Sequence, residues 1–132
     1  MQIDHTELFV PDRNAAVVWY GEWLQFHVMP EHADWAQEGP LMLTHDGGAT
    51  MLALFSGEPA GEQTPRGWRR VAYRVNGEAF RDFFERFKAS GQSIEGPIDH
   101  GKSWSVYFSD PWGNALEVTT YDYDAVKAVV VD

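Results

Sequence analysis

The hydrophobic and polar positions of this chain follow a pattern that occurs twice. Residues 3–10 alternate between a mainly apolar set (Thr6, Leu8, Val10) and a charged or mixed set, and residues 70–75 alternate in the same way 65 positions later. A period of two predicts β-strands with one face against a hydrophobic layer. The sequence therefore predicts two similar structural units, one in each half of the chain.

Each of these strands precedes an amphipathic segment with helical spacing. Apolar residues at i, i+3, i+4 and i+7 predict one buried face on each helix. The two stripes are Ala16, Trp19, Tyr20 and Trp23 in the first half and Phe80, Phe83, Phe84 and Phe87 in the second. Asp12 or Asn14 can cap the first helix and Asn76 the second, and Gly91 favours the end of the second.

Three short strand-like runs follow each helix, at 26–29, 41–44 and 50–55 and at 93–95, 104–108 and 115–121. Asp46-Gly47-Gly48 and residues 110–114 predict the matching hairpin turns. The predicted fold is α+β, with two tandem βαβββ modules (1–57 and 68–122) whose curved mixed sheets enclose a shared cleft and whose helices lie on the outer face. Neither half alone is large enough to bury a sufficient core, so we predict one domain over 1–132 with a linker at 58–67. The tail at 123–132 fits either a helix or an edge strand.

The alternation also predicts which side chains line the cleft, because strand residues that do not pack on the helix point the other way. These residues are His5, Glu7, Phe9, Met51, Ala53 and Phe55 in the first module and Arg70, Ala72, Arg74, Ala115, Glu117 and Thr119 in the second. An unpaired buried carboxylate is costly. We therefore expect either a metal ion or an arginine beside Glu117.

Composition restricts the chemistry. The formal net charge is −10 and no segment forms a basic stripe, so nucleic acid is not an expected partner. The chain has no cysteine, which leaves His, Asp, Glu and Tyr for any chemistry. We find no signal peptide and no apolar run that could span a bilayer, and therefore expect a soluble, cytoplasmic protein without a membrane partner.

On these residues the chain resembles the vicinal oxygen chelate superfamily, which includes glyoxalases, fosfomycin and bleomycin resistance proteins, methylmalonyl-CoA epimerases and extradiol dioxygenases. The resemblance covers almost the whole chain. Its most specific part is His100-Gly101-Lys102-Ser103, followed by Tyr107-Phe108-Ser109-Asp110-Pro111-Trp112-Gly113-Asn114 and Glu117. This stretch is most similar to single-domain members of the extradiol-dioxygenase-like group.

The resemblance implies metal ligands on the cleft face of the first and last strand of each module. His5 and Glu117 match such positions, whereas Arg70 and Ala53 stand where two further ligands would be. Arginine has no lone pair to offer a metal, so its guanidinium could instead pair with Glu117, and Glu7 could compensate as a ligand. The expected cofactor is one divalent ion (Fe, Mn or Zn), or none if Arg70 occupies the site.

Two main functions remain open. One is a small-molecule binding protein that holds an oxygen-bearing or aromatic molecule, similar to the metal-free resistance proteins. The other is a metal-dependent enzyme, an oxygenase or a lyase or isomerase of the vicinal oxygen chelate type, with His5 and Glu117 as ligands and His100 as the residue that transfers protons. The predicted ligand-binding residues are Glu7, Phe9, Phe55, Arg70, Arg74, Tyr107 and Thr119. An assembly role rests only on the valine-rich tail, and the resemblance implies a homodimer.

Overall fold

The computed structural model describes residues 1–58 and 69–130 of the chain. The chain divides into two compact units, Met1–Thr64 and Pro65–Asp132. Each unit contains one four-stranded mixed sheet with a helix between its first two strands. The α+β class and the two βαβββ modules are thus confirmed, while the cleft shared by the two modules and the single-domain boundaries stay predictions.

The first module consists of β1 (Thr6–Val10), α1 (Arg13–Leu24), β2 (His27–Val28), a 3-10 helix (Pro30–Gln37), β3 (Leu41–Thr44) and β4 (Met51–Ser56). The second consists of β5 (Val71–Arg74), α2 (Gly77–Ala89), β6 (Glu95–Asp99), β7 (Trp104–Ser109), β8 (Ala115–Thr120) and α3 (Tyr123–Val130). The strand orders, β1-β4-β3-β2 and β5-β8-β7-β6, are equivalent.

In each module the first strand pairs in parallel with the last. Glu7 lies opposite Ala53 in the first module, and Ala72 lies opposite Glu117 in the second. The alternate residues of the last strands are buried on the other face, and each is at most 1% exposed: Leu52, Leu54, Leu116 and Val118. The predicted division of these strands into two faces is therefore present in both modules.

The two helices begin where the sequence predicts. The Asp12 carboxylate accepts a hydrogen bond from the Ala15 amide (3.1 Å), and the Asn76 side chain accepts one from the Ala79 amide (2.9 Å). These bonds satisfy amides that have no partner inside a helix. The residues of the two stripes are buried, apart from Trp23 and Phe84, which are partly exposed.

Two strand predictions are wrong by more than one residue at an end. β1 begins at Thr6 rather than at residue 3, because its partner β4 begins only at Met51. β6 covers Glu95–Asp99 rather than 93–95. It continues past Pro97 because its pairing with β7 shifts register between Glu95 and Ile98, which an edge strand tolerates.

The 3-10 helix, the C-terminal tail and the linker differ in how far the sequence predicts them. The 3-10 helix Pro30–Gln37 was not predicted, and the tail forms the helical alternative, with Val126 fully buried. The predicted linker lies outside the described residues except for Glu58. None of the helices in the described part is long and apolar enough to cross a membrane.

An aspartate organises the hairpin turn before the last strand of each module. Asp46 accepts hydrogen bonds from the Thr50 amide (2.7 Å) and the Thr44 hydroxyl (3.1 Å). Asp110 accepts from the amides of Trp112 (3.0 Å) and Asn114 (2.9 Å) and from the Asn114 side-chain amide (2.7 Å). Asp110 is only 3% exposed, whereas the Asp46 side chain is 31% exposed.

We expect Asp110→Ala to lower the free energy of unfolding by about 2–4 kcal/mol, because several donors then lose a buried charged acceptor. The equivalent substitution Asp46→Ala should cost less, since water can reach the donors that it leaves. Urea denaturation of both variants measures the difference. Equal losses of unfolding free energy in the two variants would contradict the prediction that the buried turn is the more sensitive one.

Candidate functional site

A polar row crosses one face of the second sheet. Glu117 on β8 lies opposite Ala72 on one side and Tyr107 on the other, and Tyr107 lies opposite Glu95 on β6. Residues directly opposite each other in a sheet share a face. Since Leu116 and its alternate neighbours pack on the helix side, this polar row faces away from α2.

Hydroxyl groups hold the Glu117 carboxylate in place. Its Oε2 accepts a hydrogen bond from the Ser105 hydroxyl (3.0 Å). Ser105 is 1% exposed, and its Oγ lies 3.1 Å from the Thr119 hydroxyl. Thr119 in turn donates to the main-chain oxygen of Trp104 (3.1 Å). The predicted residues Glu117 and Thr119 thus belong to one network, joined by a serine that the sequence analysis missed.

Arg70 binds an aromatic ring rather than a carboxylate. Its guanidinium carbon lies 4.3 Å from the centroid of the Tyr107 ring, within cation–π distance. Within the described residues it forms no ion pair with Glu117, so the predicted pairing of these two residues is wrong. Arg70 precedes Val71, which lies opposite Leu116, and it is therefore level with Ala115 rather than with Glu117.

The candidate catalytic residue His100 contacts the same tyrosine. Its Nε2 lies 2.8 Å from the Tyr107 hydroxyl. The loop that carries His100 is fixed by Asp99, which accepts hydrogen bonds from the Gly101 amide (2.7 Å) and the Tyr123 hydroxyl (2.9 Å). The Tyr123 ring stacks on Trp104. Helix α3 therefore anchors the loop that places His100 beside Tyr107.

These hydrogen bonds change the acidity of both partners. Donation from the Gly101 amide, and then from the Tyr123 hydroxyl, holds the pKa of the Asp99 carboxyl below its ordinary value. The same bond to Asp99 raises the pKa of the Tyr123 hydroxyl. The contact is therefore strongest while Asp99 is ionised and Tyr123 is protonated, which is the state at neutral pH.

A cavity of about 430 Å³ lies along this face, a volume within the usual range for small-molecule sites. Its lining residues are Arg69, Arg70, Glu95, Tyr107 and Glu117. The wall of this cavity therefore contains positively charged, negatively charged and phenolic side chains. Arg69 and Glu95 are not among the ligand-binding residues that the sequence predicts. Glu95 lies in the predicted run 93–95, and its pairing with Tyr107 on β7 is what brings it to the cavity.

The corresponding face of the first module is mainly apolar. Met29, Met42 and Ala53 form a buried cluster with Met51 and Phe55 packed against it. The predicted ligand-binding residues Phe9 and Phe55 lie opposite each other, with ring centroids 6.0 Å apart. Arg74 of the second module lies apart from the cavity, with its guanidinium carbon 4.8 Å from the Tyr121 ring centroid.

The candidate metal ligand His5 lies one residue before β1 and contacts two carboxylates. Its Nδ1 is 2.8 Å from Asp4 Oδ2, and its Nε2 is 3.3 Å from Glu7 Oε2. Chiefly through Asp4, these contacts raise the pKa of His5, although a metal ligand must be a neutral imidazole. No group of three or more His, Asp or Glu residues in the described ranges could hold a metal ion. Within either module, the described residues thus do not form a closed metal centre.

A protein-family model matches most of the chain. The model of the glyoxalase/bleomycin resistance protein/dioxygenase superfamily matches residues 2–118. No curated protein matches the chain.

Solved structures with the same fold come from several bacteria. A glyoxalase/dioxygenase from Nostoc punctiforme has a TM-score of 0.76 at 22% identity and covers 91% of this chain and 90% of its own. A variant of the fosfomycin resistance protein FosX from Listeria monocytogenes, complexed with Mn(II) and 1S,2S-dihydroxypropylphosphonic acid, has a TM-score of 0.69 at 18% identity, with 96% and 94% covered. A virulence protein from Salmonella typhimurium has a TM-score of 0.66 at 26% identity, with 92% and 97% covered.

We expect Tyr123→Phe to raise the pKa of Asp99, because the ionised carboxylate loses one donor while the Gly101 amide remains. The stability that this bond contributes is present above the carboxyl's unfolded pKa and is lost as the pH falls through its folded pKa. The variant should therefore differ most from the native chain near neutral pH and least in acid. Carbon-detected NMR titration of Asp99 measures the shift. Tyr121→Phe is the control, and an unchanged Asp99 pKa in Tyr123→Phe would contradict the prediction.

Proposed function

Because this chain belongs to the glyoxalase/bleomycin resistance protein/dioxygenase superfamily, we propose that it binds a small oxygen-bearing molecule in the cavity of its second module. Arg70 holds an oxyanion of that molecule, and Tyr107 and Glu117 line the rest of the cavity. The binding requires no metal ion. The chain then resembles the metal-free resistance proteins of the superfamily more than its metalloenzymes.

The proposal rests on the contacts that Arg70 makes. Its guanidinium lies on the Tyr107 ring, and within the described residues it forms no ion pair. Stacking uses the face of the guanidinium and leaves its edge, which carries the N–H donors, for an anion. Hydrogen bonds between charged partners are the strong ones, and an arginine can bind a carboxylate or a phosphonate through two of them at once.

The ligand positions that the resemblance implies support the same proposal. Arg70 stands where a second histidine ligand is usual, and it cannot coordinate a metal. A positive guanidinium there repels a metal cation but attracts the kind of oxygen atoms that a metal would otherwise hold. The FosX variant is complexed with Mn(II) and 1S,2S-dihydroxypropylphosphonic acid, and we propose for this chain an oxygen-rich ligand of the same general kind, bound at Arg70 instead of a metal.

The second candidate function is a metal-dependent enzyme in which His5 and Glu117 are metal ligands. The observation that favours it is the contact between Ser105 and Glu117, because a metal-binding carboxylate is commonly oriented by a second hydrogen bond. His100 beside Tyr107 could then move protons. From the family resemblance we further propose that the protein forms a homodimer.

Propylphosphonate is a suitable first probe, added to tag-free protein in the presence of EDTA. We expect amide NMR shifts to concentrate at residues around Arg70 and Tyr107. Arg70→Gln should weaken binding by about 10- to 100-fold, the equivalent of a lost hydrogen bond between charged groups. Arg81→Gln on α2 removes the same charge outside the cavity and should leave the affinity unchanged.

Elemental analysis distinguishes the two candidates. After incubation with Fe²⁺, Mn²⁺ or Zn²⁺ and removal of free ion, the native chain should retain much less than one equivalent, and Arg70→His should retain more. Near-stoichiometric metal in the native chain that is lost in His5→Ala and Glu117→Gln would overturn the metal-free proposal and support the enzyme.

A further inference from the structure

A second cavity adjoins the one that contains Glu117. Its volume is about 510 Å³, and it shares Arg70, Glu95 and Tyr107 with the first cavity. It extends to Ser93, before β6, and to Ser109, at the end of β7. The three shared side chains therefore lie where the two cavities meet, and a ligand bound in either cavity can reach them.

Two of these shared side chains carry opposite charges that do not neutralise each other. Within the described residues, neither Arg70 nor Glu95 forms an ion pair. The other carboxylate of the second cavity, Asp110, is buried and already accepts hydrogen bonds on both oxygens. Glu95 is exposed, so it is the carboxylate of this cavity that can receive a cation from a ligand.

Such a pair selects against ligands with a single charge. A simple anion at Arg70 lies near Glu95 and Glu117, and the chain as a whole carries a formal charge of −10. A simple cation at Glu95 lies near Arg69 and Arg70. Like charges that line the same cavity oppose binding, and the opposition is stronger in a partly enclosed site than in water. A ligand that carries both charges satisfies both residues.

We infer that the ligand is a small zwitterion of the amino-acid type, with its carboxylate at Arg70 and its ammonium group at Glu95. This inference rests on the proposed binding function and specifies the ligand class. The second cavity also has a small apolar wall at Pro111 and Ala115, whereas the Phe108 ring packs on Phe83 and Phe87 of α2. That wall suits an apolar side chain, so an aromatic or aliphatic amino acid fits the site better than a polar one.

Three probes that differ by one charged group test the inference. L-Phenylalanine has both charges, 3-phenylpropionate lacks the ammonium group, and 2-phenylethylamine lacks the carboxylate. Calorimetric or NMR titration of the full chain at neutral pH should show L-phenylalanine binding at least about tenfold more tightly than either other probe, because each additional charged contact is worth on the order of one factor of ten.

Two variants assign the contacts. Glu95→Gln should remove the advantage of L-phenylalanine over 3-phenylpropionate, and Arg70→Gln should remove its advantage over 2-phenylethylamine. Glu85→Gln, on the exposed side of α2, loses the same charge as Glu95→Gln and should change none of the three affinities. Circular dichroism and thermal melting check that each variant is folded.

The possible outcomes distinguish a failure of the zwitterion inference from a failure of the proposed binding function on which it rests. If L-phenylalanine and 3-phenylpropionate bind equally and Glu95→Gln changes neither, the zwitterion inference is wrong, whereas a loss of 3-phenylpropionate binding in Arg70→Gln still supports an oxyanion site. If none of the three probes binds, the zwitterion inference fails, and if propylphosphonate also fails to bind, the proposed function fails with it.

Discussion

The parallel pairing between the first and last strand of each module is the constraint on which the rest of the structure depends. Parallel neighbours need a long crossover connection between them, and here the helix and the intervening strands supply it. The pairing fixes the register in which Ala72 meets Glu117. With the register set, the alternate residues Leu116 and Val118 must pack under the helix. A slip of one residue would exchange the two faces.

That register brings a carboxylate into the middle of a half-buried sheet, and the protein must compensate its desolvation. The structure does so with hydroxyl groups, since Ser105 donates to Glu117 and lies next to Thr119. Neutral donors stabilise the anion without cancelling its charge. Arg70, held instead by Tyr107, keeps its own charge as well. Among the described residues, neither charge is therefore neutralised by an ion pair with the other.

Most of the fold could be predicted because it depends on local periodicity. The helix stripes, the caps at Asp12 and Asn76, and the two aspartate turns each follow from the residues of one short segment. The predicted strand bounds are wrong where they depend on a partner strand that is distant in the sequence. The start of β1 depends on where β4 begins, and β6 passes through Pro97 only because β7 permits a shift in register. No local pattern contains that information.

The candidate site was predicted less completely, for a related reason. Periodicity identified the face that carries Arg70 and Glu117, and Tyr107 was added with the family resemblance. Neither indicated which of these side chains would contact which. An arginine near both a carboxylate and a phenol has two favourable partners, and a displacement of two residues along β8 decides between them. Glu95 lies within the predicted run 93–95, but that run does not indicate that Glu95 pairs with Tyr107 on β7.

The two modules have the same strand order but differ in the side chains on the sheet face opposite the helix. Glu7 lies opposite Ala53 in the first module, and Ala72 lies opposite Glu117 in the second, so the carboxylate and the alanine have exchanged strands. Around Ala53 the sheet face is filled with methionines, whereas around Glu117 the corresponding face is polar and lines a cavity. Packing on the helix side restricts the buried leucines and valines, but it leaves the opposite face free to change. Within the part of the chain that the structure describes, the polar cavity and its unneutralised charges are therefore properties of the second module, and they depend on residues that the shared framework does not determine.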